Sequence, residues 1–158
     1  MTENLAQIQL FQGLSDDQRE EIKGLVEGVE FYNRERVFKD GDKADYLWFV
    51  REGRVDLRFD LPSRDTSNEC TVSTVIKDGA LGWSSLVAPY EYKLSAYCEA
   101  DYVCLARIER EPFLKLLSAH PEIGYKVMGN LAQVIATRFH DLQEEVATQM
   151  GHNIMNHW

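Results

Sequence analysis

Residues 38–55 read FKDGDKADYLWFVREGRV, and they decide the fold that we expect for this chain. An apolar and aromatic run at 46–50 lies between two turns that contain Gly41 and Gly53. Aromatic and β-branched residues favour strands, and Gly favours the tight turns that connect them. The segment therefore predicts strands joined by short turns.

The same alternation of β-rich runs and turns extends from Val29 to Ile108. Short strands at this spacing are typical of an antiparallel sandwich or a jelly-roll barrel. We expect the polar loop Pro62–Glu69 to be a mobile hairpin tip. The turn pairs are Asp40-Gly41, Glu52-Gly53, Pro62-Ser63 and Asp78-Gly79.

Helical signals flank the strand region on both sides. Ser15, followed by two acids, is typical of a helix N-terminus. Arg110 opens a short helix after the strands, and His120-Pro121 ends it before a second helix of about 28 residues. We therefore expect one mainly β domain over 1–150. Its barrel lies at about 29–108 and its C-terminal helices at about 110–148, with a flexible tail at 151–158.

The last helix carries two apolar stripes. One stripe, Ile123, Val127, Leu131 and Val134, we assign to the barrel. The other has the alternating spacing of a heptad seam, and a helix that extends beyond its own barrel can bury such a seam only on another chain. We expect a parallel homodimer; the alternative is that the stripe folds back on its own domain. The predicted interface residues are Met128, Ala132, Ile135, Phe139, Leu142 and Val146.

Residues 81–87, LGWSSLV, and the pair Ser95-Ala96 resemble the phosphate-binding cassette of the cyclic nucleotide-binding domain family. There a Phe-Gly-Glu-Leu-Ala-Leu run turns from a strand into a short helix, and an Arg-Ser-Ala or Arg-Thr-Ala run follows. The resemblance covers about residues 8–147. It implies a mainly β, antiparallel jelly-roll barrel with N-terminal helices and a long C-terminal helix, as in sensor domains of catabolite-activator type bacterial regulators.

The two charged ligand contacts of that cassette are replaced in this chain. By the resemblance, Trp83 stands where the family has the Glu that binds the ribose hydroxyl, and Leu94 stands where it has the Arg that binds the cyclic phosphate. Such contacts are worth roughly 1.5–3 kcal/mol each, so losing both weakens binding by about two to four decades. Lys93 is adjacent to the Arg position, but neighbouring strand residues face opposite sides unless the strand bulges.

Three roles are open for Trp83. Its indole could fill the pocket, form a stacking wall for a different ligand, or pack in the core. Gly82 supplies the turn at which helix N–H groups can hold an anion. Ser84 and Ser85 could present hydroxyls to that anion, although Ser commonly begins a helix without any ligand. The predicted ligand-binding residues are Gly82, Trp83, Ser84, Ser85, Leu86, Lys93, Leu94 and Ser95.

Two hypotheses on function follow. The first is a stand-alone regulatory module that binds an unidentified small anionic ligand, or a cyclic nucleotide weakly, and signals through its dimer helix. The second is a degenerate domain that binds no ligand and acts as a protein interaction scaffold. Catalysis is not expected, because no nucleophile motif such as Gly-x-Ser-x-Gly is present.

Composition and net charge restrict the kinds of binding partner that we expect for this chain. The net charge of −9 repels a polyanion, and the chain ends soon after the dimer helix, so we expect no direct nucleic-acid binding. The sequence has neither a signal peptide nor an apolar run of membrane length, which favours a cytoplasmic location without membrane contact. Cys70, Cys98 and Cys104 lack metal-ligand spacing, so we expect reduced thiols, no metal site and no cofactor.

Overall fold

Two four-stranded antiparallel sheets form the centre of the part of the chain that the computed structural model describes, residues 4–62 and 67–156. The strand orders are β1-β8-β3-β6 and β2-β7-β4-β5, as in a jelly-roll barrel, which confirms the predicted fold. The strands are β1 Val26–Tyr32, β2 Arg36–Phe38, β3 Tyr46–Glu52, β4 Val55–Arg58, β5 Thr71–Val75, β6 Ala80–Leu81, β7 Ser95–Cys98 and β8 Tyr102–Glu109.

The tight turn between β3 and β4 depends on Gly53. Its φ is +84°, a conformation that side chains other than hydrogen disfavour. A Cβ atom here would lie 2.9 Å from Cγ2 of Val103. The turn therefore requires Gly, as the sequence predicts.

The connection between β4 and β5 is the predicted hairpin tip. Residues 63–66 of this connection lie outside the described residues. A 3-10 turn at Asn68–Cys70 then leads into β5.

Three α-helices flank the strands within the described residues: α1 Asp16–Lys23, α2 Arg110–Ala119 and α3 Pro121–Met155. Ser15 caps α1 with a reciprocal capping box, since its hydroxyl accepts from the Gln18 amide and the Gln18 side chain accepts from the Ser15 amide. Pro121 begins α3 as predicted. These capping signals explain why the helix starts could be predicted.

The end of α3 differs from the prediction. The helix runs to Met155 rather than to about 148, so residues 151–155 are helical instead of forming a tail. A Gly within a helix costs about 1 kcal/mol, which does not end a long helix by itself. Gly151 therefore stays inside α3, and the tail residues His157 and Trp158 lie outside the described residues.

Two groups of buried side chains hold the domain together. The helical cluster lies between the N-terminal turns, α2, α3 and one face of the β1-β8-β3-β6 sheet. The barrel cluster lies between the two sheets. The first stripe of α3 is buried, as predicted, and most of it joins the helical cluster. Asn130 and Lys126 of α3 also donate hydrogen bonds to the carbonyl oxygens of Leu10, Gln12 and Gly13.

Among the described residues, no helix combines the length and the apolar character that are needed to cross a membrane.

Candidate functional site

The cassette begins with a sharp turn at Gly82, directly after β6. Its φ of +71° places it at the start of a short 3-10 helix, Trp83–Leu86. A Cβ atom on Gly82 would lie 3.1 Å from Trp48 Cδ1, 3.1 Å from Tyr92 Cε1 and 3.2 Å from the Tyr46 carbonyl oxygen. Only Gly fits this turn, and aromatic side chains cover one side of it.

Tyr92 occupies the barrel interior beside that turn. It is 4% exposed, and its ring stacks on Phe38 with ring centres 3.7 Å apart. Its hydroxyl accepts a hydrogen bond from Trp48 Nε1 at 3.2 Å and donates one to the Tyr46 carbonyl oxygen at 2.7 Å. Burial raises the pKa of Tyr92, so the hydroxyl keeps its proton as a donor. The space behind the cassette is thus filled by a hydrogen-bonded aromatic group.

Trp83 and Leu94 lie in different clusters. Trp83 is partly buried and packs against the helical cluster, to which Leu86 of the same short helix also belongs. Leu94 is partly buried and packs against the barrel cluster. The indole therefore lies with the side chains under the helices, and Leu94, predicted to stand at the Arg position of the family, packs against the other cluster.

Lys93 lies at the surface. Its side chain is 62% exposed, and its ammonium is 3.8 Å from the Glu91 carboxylate. β7 begins only at Ser95, so Lys93 belongs to the loop that precedes the strand. The structure places Lys93 as a solvated partner of Glu91.

The serine hydroxyls differ in what they contact. Ser95 is fully buried; its hydroxyl accepts from the Asp40 amide at 2.9 Å and donates to the Asp60 carboxylate, which uses its single proton. Ser84 is half-buried, and the Ser85 hydroxyl is buried without a hydrogen-bond partner among the described residues. The Ser95 hydroxyl is therefore already committed within the protein, whereas, among those residues, the Ser85 hydroxyl is not.

Two cavities of the described structure lie away from the cassette. One of about 380 Å³ is lined by Arg34, Arg58, Tyr97 and Glu99, among others, and another of about 600 Å³ lies on the outer face of the β1-β8-β3-β6 sheet. No cassette residue lines either one. Among residues 4–62 and 67–156, no group of three or more His, Cys, Asp and Glu side chains is placed to hold a metal ion.

Sequence reasoning missed the aromatic group around Tyr92. The available signal was spacing: Tyr92 and Leu94 are two residues apart, which in an extended segment places both side chains on one side. Trp48 alternates in the same way with Tyr46 and Val50, and all three pack in or against the barrel cluster. The choice of Leu94 as a site residue could therefore have pointed to Tyr92 as its neighbour on the same side.

The two-sheet barrel, the Gly82 turn and the long α3 are elements of a class of domain that is typically regulatory rather than catalytic. The chain belongs to the cyclic nucleotide-binding domain family, whose model matches residues 28–120. The matched range includes Gly82 and the short helix that follows it.

Several proteins resemble this chain. The cAMP-dependent protein kinase type II regulatory subunit of Drosophila melanogaster is 28% identical over 73% of this chain and 29% of its own length. A putative cyclic nucleotide-binding protein of Geobacter metallireducens is 28% identical with a TM-score of 0.74, and the match covers 87% of this chain and 97% of that one. The catabolite activator protein of Thermus thermophilus, at 24% identity and a TM-score of 0.70, shares the fold over 88% of this chain and 62% of its own. The chain spans 21–29% of the length of the curated relatives that it matches.

Proposed function

We propose that this chain is a regulatory module that binds standard cyclic nucleotides only weakly and transmits its state through a homodimer formed by α3. The observation that carries the proposal is the position of Leu94, which packs against the barrel cluster and which, by the predicted alignment, replaces the Arg that contacts phosphate in the family. An apolar side chain there gives a phosphate no charge to pair with. The affinity for a cyclic phosphate should fall accordingly.

The ribose contact is missing as well. Trp83 stands at the position of the family's Glu, packs with the helical cluster and has no carboxylate to offer. Two absent contacts of roughly 1.5–3 kcal/mol each put the dissociation constants of cAMP and cGMP at about 100 μM or weaker. A different small anion could not accept a hydrogen bond from Ser95, because the Ser95 hydroxyl already donates its proton to the Asp60 carboxylate.

The second stripe of α3 supports the homodimer. Phe139, Leu142 and Val146 are 59%, 48% and 50% exposed, and Met150, 60% exposed, follows on the same helix face. Contiguous exposed apolar side chains on a single helix face mark an interaction surface. A parallel dimer along this seam would join the ends of two modules, so a change in one barrel would reach the other.

A second candidate function rests on the filled barrel. Tyr92, Phe38 and Trp48 occupy the interior beside Gly82, so a module that never opens would serve as a dimerisation scaffold and not as a sensor. The two candidates share α3 as the output surface. They differ in whether any ligand displaces Tyr92.

Isothermal titration calorimetry of the purified chain with cAMP and cGMP tests the proposal. We expect dissociation constants of about 100 μM or weaker for both nucleotides. A low-micromolar constant for either would overturn it, and Lys93→Ala would then show whether Lys93 supplies the missing charge. Complete absence of heat with the wild type, together with weak binding by Tyr92→Ala, would favour the scaffold.

A further inference from the structure

Met150 and Ile154 extend the exposed apolar stripe of α3 beyond Val146, the last residue of the predicted seam. The two side chains are 60% and 63% exposed, and the helix is continuous to Met155. At about 100° per residue, both lie within about 60° of Phe139 around the helix axis. The apolar face of α3 therefore reaches the last turn of the described helix.

The spacing of this stripe changes at Val146. From Tyr125 to Val146 one apolar residue follows another at alternating intervals of three and four residues, which is the pattern of a left-handed coiled coil. Beyond Val146 the interval is four residues, first to Met150 and then to Ile154. From residue 125 to residue 154 the stripe makes eight steps over 29 residues, a mean of about 3.6, which is the period of a straight α-helix. The stripe thus runs parallel to the axis of α3 instead of winding round it.

A heptad pattern that continued past Val146 would bury polar side chains. Its next two seam positions are Gln149 and Asn153. The Gln149 amide donates a hydrogen bond to the Glu145 carboxylate at 3.0 Å, so a buried Gln149 would draw that carboxylate towards its copy in the second chain. Amides that lose water without new partners, and like charges that approach each other, are both unfavourable. The two apolar side chains of the last turns avoid both costs.

The area that the stripe exposes fits a second copy of this chain. Seven exposed large side chains of the described helix lie in the stripe, five from Tyr125 to Val146 and two beyond it, and they are 38–84% exposed. Together they expose the surface of about four whole side chains, roughly 800 Å² at about 200 Å² each. A specific interface buries about 800 Å² of each partner. Nearly a third of the exposed area lies beyond Val146, so a seam that ended there would be smaller than a standard interface.

From these observations, and on the basis of the homodimer proposed above, we infer that a second copy of this chain packs in parallel along α3 as far as Ile154. The pair coils left-handed up to Val146 and unwinds beyond it, because a longer apolar interval unwinds a coiled coil locally. Met150 and Ile154 contact the same residues of the second chain, and Gln149 and Asn153 stay in water. The contact between the two chains thus extends to the last turn of the described helix.

Disulfide cross-linking of the full chain tests which residues form this distal contact. The starting variant carries Cys70→Ser and Cys104→Ser, because these two thiols are partly exposed while Cys98 is buried. One cysteine is then added at position 148, 149, 150, 153 or 154, and oxidised glutathione is used to join the chains. A disulfide needs Cα atoms within about 7 Å of each other, and identical positions of two parallel helices come that close only in the contact.

We expect Met150→Cys and Ile154→Cys to cross-link at least about 10-fold faster than Gln149→Cys and Asn153→Cys, because only the first two face the second chain. Thr148→Cys, on the opposite side of the helix, gives the background rate. An equilibrium measurement accompanies the kinetic one. Met150→Glu should weaken the dimer about 10-fold or more, and Asn153→Glu, the matched control, should change it by less than about 2-fold.

Faster cross-linking of Gln149→Cys and Asn153→Cys, in chains that light scattering shows to be dimers, would overturn the inference and leave the homodimer in place. Uniform rates at all five positions in such dimers would overturn it as well, and so would equal weakening by Met150→Glu and Asn153→Glu. A wild type that is monomeric at micromolar concentrations would overturn the homodimer and, with it, the distal contact.

Discussion

The Arg138 side chain of α3 donates a hydrogen bond from Nη2 to the carbonyl oxygen of Ala80, over a distance of 2.7 Å. Ala80 begins β6 and stands two residues before Gly82, while Phe139 of the exposed seam follows Arg138 directly. Burial lowers the pKa of Arg138, because the guanidinium is removed from water. One partly buried hydrogen bond thus connects the strand that precedes the cassette to the helix that we propose as the output.

Replacing Arg138 by Met tests how much this connection stabilises the domain. The Ala80 carbonyl would lose its donor, so Arg138→Met should lower the free energy of unfolding by about 1–3 kcal/mol, measured by urea denaturation. The matched control is Lys126→Met, which removes an exposed donor from α3 to the Gly13 carbonyl and should cost less. Equal effects of the two changes would contradict a special role for Arg138.

Restoring the family's charges should restore nucleotide binding. In Trp83→Glu with Leu94→Arg, both missing contacts return on the existing Gly82 turn, so cAMP should bind about 10-fold or more tightly than in the wild type, measured by calorimetry. Adding Tyr92→Ala should strengthen binding further, because it opens the barrel beside Gly82. A triple variant that is folded by circular dichroism and gains no affinity would contradict the alignment of the cassette.

The strand region could be predicted because its signals are local. Turns such as that at Gly53 need a residue that tolerates positive φ, and the runs between them contain the β-branched and aromatic residues of strands. The helix starts at Ser15 and Pro121 follow from capping chemistry in the same way. The end of α3 carries no comparable stop signal, which is why its last turn at 151–155 was missed.

The interior of the candidate site could not be predicted from local signals. The role of Tyr92 depends on Phe38, Trp48 and the Tyr46 carbonyl, which are far from it in sequence and meet only when the sheets pack. Likewise, the partner of the Ser95 hydroxyl is Asp60, 35 positions away. Long-range packing of this kind decides whether a cassette is open. Local patterns in a single sequence do not show which distant residues will come into contact.

Cys98 should be chemically inert in the folded protein. Burial, and secondly the charge of Glu35, raise the pKa of its thiol to about 12, and the reactive species is the thiolate. The folded state therefore gains stability from the protonated thiol below the ordinary pKa, and this contribution disappears as the pH rises through about 12. An aromatic disulfide reagent at mildly alkaline pH should modify Cys98 only after denaturation, and Cys98→Ser should remove that late fraction. Prompt modification of Cys98 in the native state would contradict this.

Tyr102 should titrate at unusually high pH. Its hydrogen bond to Glu30 is the main cause that raises its pKa to about 12, followed by desolvation. The protonated phenol thus stabilises the fold below the ordinary tyrosine pKa, and the contribution is lost as the pH rises through about 12. Ultraviolet absorbance of tyrosinate should show a late transition whose amplitude Tyr102→Phe reduces and which Glu30→Gln moves in part to lower pH. Because the pKa of Tyr92 and that of Tyr32 are also raised, part of the late absorbance should remain in Tyr102→Phe, and a late transition of unchanged amplitude in that variant would contradict the assignment to Tyr102.

The exposed stripe of α3 should hold two chains together through Phe139. A Glu at this position would put a charge into an apolar contact, and an unpaired buried charge is costly enough to separate the chains. We therefore expect light scattering to show a dimer for the wild type and a folded monomer for Phe139→Glu.

The matched control for that experiment is Thr137→Glu, which places the same charge on the exposed surface two residues earlier, roughly 200° around the helix from Phe139. This variant should remain dimeric. A wild type that is monomeric at micromolar concentrations would rule out the proposed dimer. Loss of folding in Phe139→Glu would contradict the exposure of Phe139, because a side chain that is 59% exposed in its own domain contributes little to that domain's core. Dissociation by Phe139→Glu but not by Thr137→Glu would place the seam of α3, and not its surface charge, at the contact between the two modules.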